Sequence, residues 1–173
     1  SRRFDLKLNP DDNVLALIGS KEGIAHLCQA YLDPGDFALV PVPSYPVHSN
    51  GVILAGGRIH PMVLTPENNY LPDYSQIPSS VLKRAKIMFL CYPNNPTAAV
   101  VDDPAFFKET VKFAQKNDIL VVYDNPYCEI TFDGYVAPSF LSTPGAEDVA
   151  LEFHSFSKTY NMAGWRIGWV CGK

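Results

Sequence analysis

The chain has 173 residues, 47% apolar and 18% charged, with ten Phe, nine Tyr and two Trp. That composition supports a sizeable core and excludes disorder, and the length suits one domain on a prior of roughly 100–200 residues. No run of about 18 apolar residues exists, which excludes a membrane-spanning helix. The net charge of −4, without a Lys/Arg block, argues against nucleic acid or an anionic membrane as partner.

Residues 14–18 form a short apolar run ending at Gly19. Residues 21–32 read as a helix, with Ile24, Leu27, Cys28 and Tyr31 at helical spacing. Asp33-Pro34-Gly35-Asp36 is a turn. Residues 37–42 read as a strand, 45–55 as a helix closed by Gly56-Gly57, and 58–64 as a strand with partial alternation. Residues 65–80, rich in Pro, Asn and Ser, read mostly as loop. A buried strand follows at 87–91, then a helix at 104–115 with Phe106, Phe107, Val111 and Ala114 inward. Further buried strands are predicted at 119–123, 149–154 and 167–171. The polar stretch 133–148 reads as a long surface loop. There is no internal repeat and no second domain. Continuous apolar strands alternating with helices predict an α/β fold whose parallel sheet is covered on both faces.

Cys28, Cys91, Cys128 and Cys171 form no CxxC pair, and no His cluster accompanies them at zinc-like spacing. They read as buried reduced thiols of an intracellular chain, and no metal site is expected. No signal peptide is visible, so the default location is cytoplasmic.

In open α/β sheets ligands sit beyond the carboxyl ends of the strands. Five polar clusters fall at such ends: Gly19-Ser20-Lys21, Pro43-Ser44-Tyr45-Pro46, Tyr92-Pro93-Asn94-Asn95-Pro96-Thr97, Asp124-Asn125-Pro126-Tyr127 and Ser155-Phe156-Ser157-Lys158. One such cluster means little, whereas five outline a pocket. Taken alone, Lys158 is a solvated lysine like most others. With two serines beside it and Arg166 eight residues on, it suits a partly desolvated Schiff-base nucleophile next to an anion site. Ser20 alone is best read as a helix cap, although a helix N-terminus also receives phosphate. Asp124 ends an apolar strand, where a carboxylate is costly unless paired. It either holds a proton on a ring nitrogen or serves the Asp-Asn-Pro turn, and the local sequence supports both equally. Asn95 and Tyr127 can meet a phenolic oxygen. Tyr45 offers a face for ring stacking, though in isolation a core aromatic is the simpler reading. Together these groups describe a site for pyridoxal phosphate, a cofactor that serves as an electron sink.

These blocks, with Gly19-Ser20-Lys21-Glu22-Gly23-Ile24 and the run from Ser155 through Thr159-Tyr160-Asn161-Met162-Ala163-Gly164-Trp165 to Arg166, resemble the large domain of a class I/II aminotransferase. That is a fold-type-I pyridoxal-phosphate enzyme. The strings look most like the LL-diaminopimelate aminotransferases and their alanine/glutamate–pyruvate relatives. The resemblance covers essentially the whole chain and implies a three-layer αβα domain with a mostly parallel sheet. It implies that Lys158 forms the Schiff base and shuttles the substrate proton. Asp124 would keep the pyridine nitrogen protonated, Asn95 and Tyr127 would bond the ring oxygen, and Tyr45 would stack. Ser20, Lys21, Ser155, Ser157 and Arg166 would hold the phosphate, with Lys21, Tyr45 and Asn95 also touching substrate. Cis peptides are implied before Pro43 and Pro96.

One departure is Ala98, where the family usually has Gly. Ala is poor at φ > 0, so this turn is expected to keep φ < 0, a slight lean towards the alanine-type branch. The resemblance also implies a parent about twice as long, cut here at both ends, lacking an N-terminal arm and a C-terminal small domain. The parent is expected to be a homodimeric transaminase acting on an amino acid and a 2-oxo acid. This chain alone would turn over poorly. Diaminopimelate, alanine, glutamate and aspartate stay open as substrates. A C–S β-lyase, a racemase or an aminocyclopropane-type synthase shares the cofactor residues. A non-catalytic copy is disfavoured by the intact Asp124, Lys158 and Arg166. A generic nucleotide-binding domain is disfavoured because GxGxxG and P-loop motifs are missing.

Overall fold

Seven strands build one sheet in a computed structural model that describes residues 3–173. In chain order the elements are β1 (Val14–Leu17), α1 (Ser20–Tyr31), β2 (Phe37–Val42), α2 (Pro46–Leu54), β3 (Arg58–Val63), α3 (Ser79–Leu82), β4 (Ala85–Leu90), α4 (Ala105–Asn117), β5 (Leu120–Asp124), β6 (Ala150–Ser155), α5 (Phe156–Thr159) and β7 (Gly168–Gly172). The sheet order is β1-β7-β6-β5-β4-β2-β3. Six strands run the same way. β7 alone is reversed, pairing antiparallel with both β1 and β6. The sheet is therefore mixed rather than purely parallel. The glycine-bounded run at its end carries no directional signal in sequence.

Side-chain alternation along the central strands explains the layers. Ile87 and Phe89 of β4 face one cluster with Ile24 and Cys28 of α1 and Val47 and Val52 of α2. Met88 and Leu90 face the other, with Phe106, Phe107, Val111 and Ala114 of α4. Both faces of β4 and β5 are apolar because both are covered. Tyr31, by contrast, is 48% exposed, so the inward stripe of α1 is Ile24 and Cys28, with Gly23 closely packed on Leu17 and Phe153. Pro61 lies in β3 at the sheet edge, where a missing N–H breaks no central ladder.

Two loop expectations change. Residues 65–80 contain two 3-10 turns and the start of α3, and Tyr74 packs on Phe113 with ring centroids 4.5 Å apart. Residues 133–148 are not a surface loop, because Ala137, Ser139, Phe140, Leu141 and Ala146 are buried. Phe140 stacks on Tyr123 and meets Phe107 edge-on, so scattered apolar residues in a polar stretch complete the α4-side core. All four cysteines are buried and free.

The chain leaves β2 for β3 on one side and returns to β4 on the other. Strand order thus reverses between β2 and β4, the place where open α/β sheets form a crevice.

Candidate active site

The ends of β1, β2, β4, β5 and β6 meet at that crevice. A cavity of about 450 Å³ opens there, lined by Ser20, Lys21, Tyr45, Asn95, Asp124, Tyr127, Ser155, Ser157, Lys158 and Arg166. Every site residue expected from the sequence lines this one cavity. Cys91, Pro126 and Ala163 complete it.

Asp124 forms the floor. It shares a face of the sheet with Val122, and its neighbour in register is Phe153. Only 2% of it is exposed, a costly position for a carboxylate without a partner. Its Oδ2 accepts a hydrogen bond from His48 Nε2 at 3.2 Å, while Oδ1 is buried without a partner. His48 is fully buried on α2 and stacks on Phe89 at 5.0 Å. A carboxylate only accepts, so this contact puts the His48 proton on Nε2.

On one wall Asn95 Nδ2 donates to the Tyr127 hydroxyl at 3.4 Å. Burial first, then the neighbouring Cys91 and Asp124, push the Tyr127 phenol above its ordinary range, with Asn95 partly offsetting. The hydroxyl therefore stays protonated and available as a donor at neutral pH. Lys158 Nζ lies 5.9 Å from the Tyr127 ring centroid, and Lys21 Nζ lies 5.4 Å from that of Tyr45. Lys158 is exposed at the cavity edge, not desolvated by the described residues as the sequence reading expected.

The opposite wall is an N-terminal helix end. Gly19 adopts φ 79° and ψ 149°, which turns the chain from β1 into α1 and leaves the first amides of α1 free. A Cβ on Gly19 would lie 2.4 Å from Arg166 Nη2, so glycine also admits the guanidinium. Ser155 caps α5, its Oγ accepting from Ser157 N at 3.1 Å. Arg166 itself sits at φ 54°, with Nη1 donating to Ala163 O at 2.9 Å.

The Asn94–Ala99 turn overturns the expectation for Ala98, which adopts φ 60°. Asn94 N donates to Ala99 O and Ala98 N to Asn94 O, both at 2.8 Å, while Asn94 Oδ1 accepts from Thr97 N and Oγ1. Four hydrogen bonds hold Ala98 left-handed against a cost of roughly 1–2 kcal/mol. The lean towards the alanine-type branch fails with it. Cis peptides stand before Pro43, Pro93 and Pro96, the middle one unforeseen.

Sequence reasoning missed His48 and Cys91. His48 had a visible signal, the one ionisable residue of α2, three positions after Tyr45. Cys91 had none beyond its place at a strand end.

Known proteins share this arrangement. The family described as "Aminotransferase class I and II" matches residues 2–173. An LL-diaminopimelate aminotransferase of Moorella thermoacetica is 56% identical over 172 residues, covering 99% of this chain and 44% of the relative. One from Syntrophobacter fumaroxidans is 51% identical, with the same shares covered. The chain thus spans less than half the length of the curated relatives it matches. Among solved structures, substrate-bound BacF of Bacillus subtilis has a TM-score of 0.95 at 43% identity, covering 99% of this chain and 43% of the other. A probable N-succinyldiaminopimelate aminotransferase of Thermus thermophilus has a TM-score of 0.92 at 39% identity, covering 99% and 46%. With the family profile spanning the chain and the strand ends converging on one cavity, the chain belongs to the class I and II aminotransferases.

Proposed function

We propose that this chain provides the cofactor site of a pyridoxal 5'-phosphate-dependent aminotransferase that moves an amino group between an L-amino acid and a 2-oxo acid. LL-diaminopimelate and 2-oxoglutarate are the favoured pair, because the curated relatives described above carry the first of these in their names. The observation that carries the proposal is the unpartnered, buried Oδ1 of Asp124 on the floor of a cavity that also holds Lys158.

The donor set fits the cofactor. Asp124 Oδ1 has an open acceptor position for a protonated ring nitrogen. Tyr45 supplies an aromatic face, and Asn95 Nδ2 and the Tyr127 hydroxyl supply donors for a ring oxygen. The α1 amides, Ser20, Lys21, Ser155, Ser157 and Arg166 supply the charge and donors that a phosphate dianion needs. When bound, pyridoxal phosphate supplies an electron sink for a carbanion at the substrate α-carbon. Lys158 is the covalent anchor and the base that takes and returns the α-proton. Asp124, paired to His48, keeps the ring nitrogen protonated by its negative charge. Lys21, Tyr45 and Asn95 face the substrate side.

The proposal extends to a cytoplasmic homodimer with small-molecule substrates and no nucleic-acid or membrane partner. No helix among the described residues is long and apolar enough to cross a membrane. Leu15, Ile18 and Trp165, 63–70% exposed, support burial against a second copy.

Adding pyridoxal phosphate to the chain is expected to give a visible absorbance band that is lost in Lys158→Ala. Adding LL-diaminopimelate is expected to bleach the band more than alanine or aspartate does. A band that persists in Lys158→Ala refutes the anchor. Equal bleaching by all three donors refutes the substrate choice.

A further inference from the structure

Behind the cavity floor lies a second buried acid that the mechanism does not use. Glu152 of β6 is fully buried, on the sheet face opposite Asp124. Its Oε1 accepts from Asn125 Nδ2 and His154 Nε2, each at 3.0 Å. Its Oε2 accepts from Ser139 Oγ at 2.6 Å and Leu141 N at 3.2 Å. A carboxylate with four donors is satisfied on both oxygens, the condition under which a buried charge becomes rigid rather than ruinous.

Its position relative to the site is the informative point. Asp124 and Asn125 are consecutive at the end of β5, and successive side chains point to opposite faces. Asp124 points to the cavity and His48. Asn125 points the other way, into Glu152. The backbone between them continues the ladder, with Asn125 N donating to Phe153 O at 2.8 Å. The Asp124 carboxylate is therefore aimed from one face while its chain neighbour is gripped from the other. The gripping residue lies on the strand that runs directly into Ser155, Ser157 and Lys158. One carboxylate thus holds in register the two strand ends that carry the ring-nitrogen and lysine sides of the cavity.

Resting on the aminotransferase reading above, we propose that Glu152 is a positioning residue for cofactor binding, acting through Asn125 on the aim of Asp124. The hydrogen bond to a charged acceptor is the kind whose loss costs about tenfold in an equilibrium. Ser139 donates to Oε2, the oxygen that does not hold Asn125, so its loss leaves the Asn125 link in place.

The test is titration of the chain and its variants with pyridoxal 5'-phosphate, read as Kd from the visible band, with thermal melting beside it. Glu152→Gln and Asn125→Ala are each expected to raise Kd about tenfold. The double variant is expected to do no more than the worse single one, because both break one link. Ser139→Ala is expected to lower the melting temperature while leaving Kd within about twofold. A purely structural Glu152 would shift melting in all three variants and Kd in none, which overturns the proposal. Additive effects in the double variant overturn it too. Should Glu152→Gln fail to fold, Asn125→Ala decides, since it leaves the carboxylate with its other three donors. Absence of any Lys158-dependent band in the unsubstituted chain refutes the aminotransferase reading itself, a result distinct from unchanged affinity in the variants.

Discussion

Gly168→Ala is the sharpest probe of the proposed phosphate wall. Gly168 opens β7, and its φ is not in the left-handed region, so alanine is conformationally tolerated and only space is at issue. A Cβ there would lie 2.7 Å from His154 O and 2.7 Å from Ser20 N, with Gly19 C at 3.1 Å. Both close neighbours are backbone atoms on opposite sides, so no side chain can swing aside. Ordinary contact begins at 3.4 Å, so β6 and the start of α1 must part by about 0.7 Å on each side. Forced overpacking of this kind costs about 1–3 kcal/mol. For a chain of this size, each kcal/mol lowers Tm by roughly 2–4 °C. The strain also falls on Ser20 N, one of the amides proposed to meet phosphate, and binding constellations tolerate only about 0.5 Å. Melting should therefore drop, and the pyridoxal phosphate Kd should rise about tenfold with the Lys158-dependent band preserved. Gly164→Ala, where a Cβ meets nothing within 4 Å, serves as control. A Gly168→Ala chain with unchanged melting and unchanged Kd would refute the close approach of these three segments.

Three further outcomes follow from the structure. Asp124→Asn keeps the shape but removes the charge that His48 pairs, so cofactor affinity at neutral pH should fall at least about tenfold, measured by the visible band. Cys28, Cys128 and Cys171 should resist thiol reagents at pH 8 until denaturant is added, because burial pushes Cys28 up to about 11 and Cys128 and Cys171 up to about 12. Acid should unfold the chain partly through Glu152. Burial raises that carboxyl, but His154, Ser139 and Asn125 together bring it below the ordinary 4.5. The unfolded chain then takes up its proton first, so the stabilisation is present above about pH 4.5 and lost as pH falls through the lower folded value. Glu152→Gln should flatten the acid limb of a pH–stability curve followed by circular dichroism, and an unchanged limb would contradict the assignment.

Much of this was legible in the sequence for a simple reason. Strands such as Ala85–Leu90 are buried on both faces and so appear as unbroken apolar runs, and the polar residue that follows each run marks a strand end. That is why the sequence alone assigns Asp124 and Lys158 to one crevice. What escaped notice was tertiary. Glu152 and His154 sit inside a run that otherwise looks like a core strand, and only the fold supplies their donors. Phe140 lies in a polar stretch, and its burial depends on Tyr123 and Phe107 from distant elements. Ala98 departs from its local preference because the Asn94 hydrogen bonds override it. Tyr31 had helical spacing but no neighbour to cover it.

The reversed strand β7 has a consequence for how the site hangs together. A parallel strand in its place would need a crossover of a dozen or more residues to the far edge of the sheet, and the residue before it would start there. That would leave Arg166 roughly 15 Å from the crevice, the length of a five-residue strand. Because β7 runs backwards, the chain never leaves the ligand side between Ser155 and Gly168. Serine, lysine and arginine are then delivered by a single hairpin whose two arms are bonded from Leu151–Gly172 to Ser155–Gly168. The proposed anchor and anion clamp are ordered by the same local event, so they should be protected from hydrogen exchange as one unit and be lost as one.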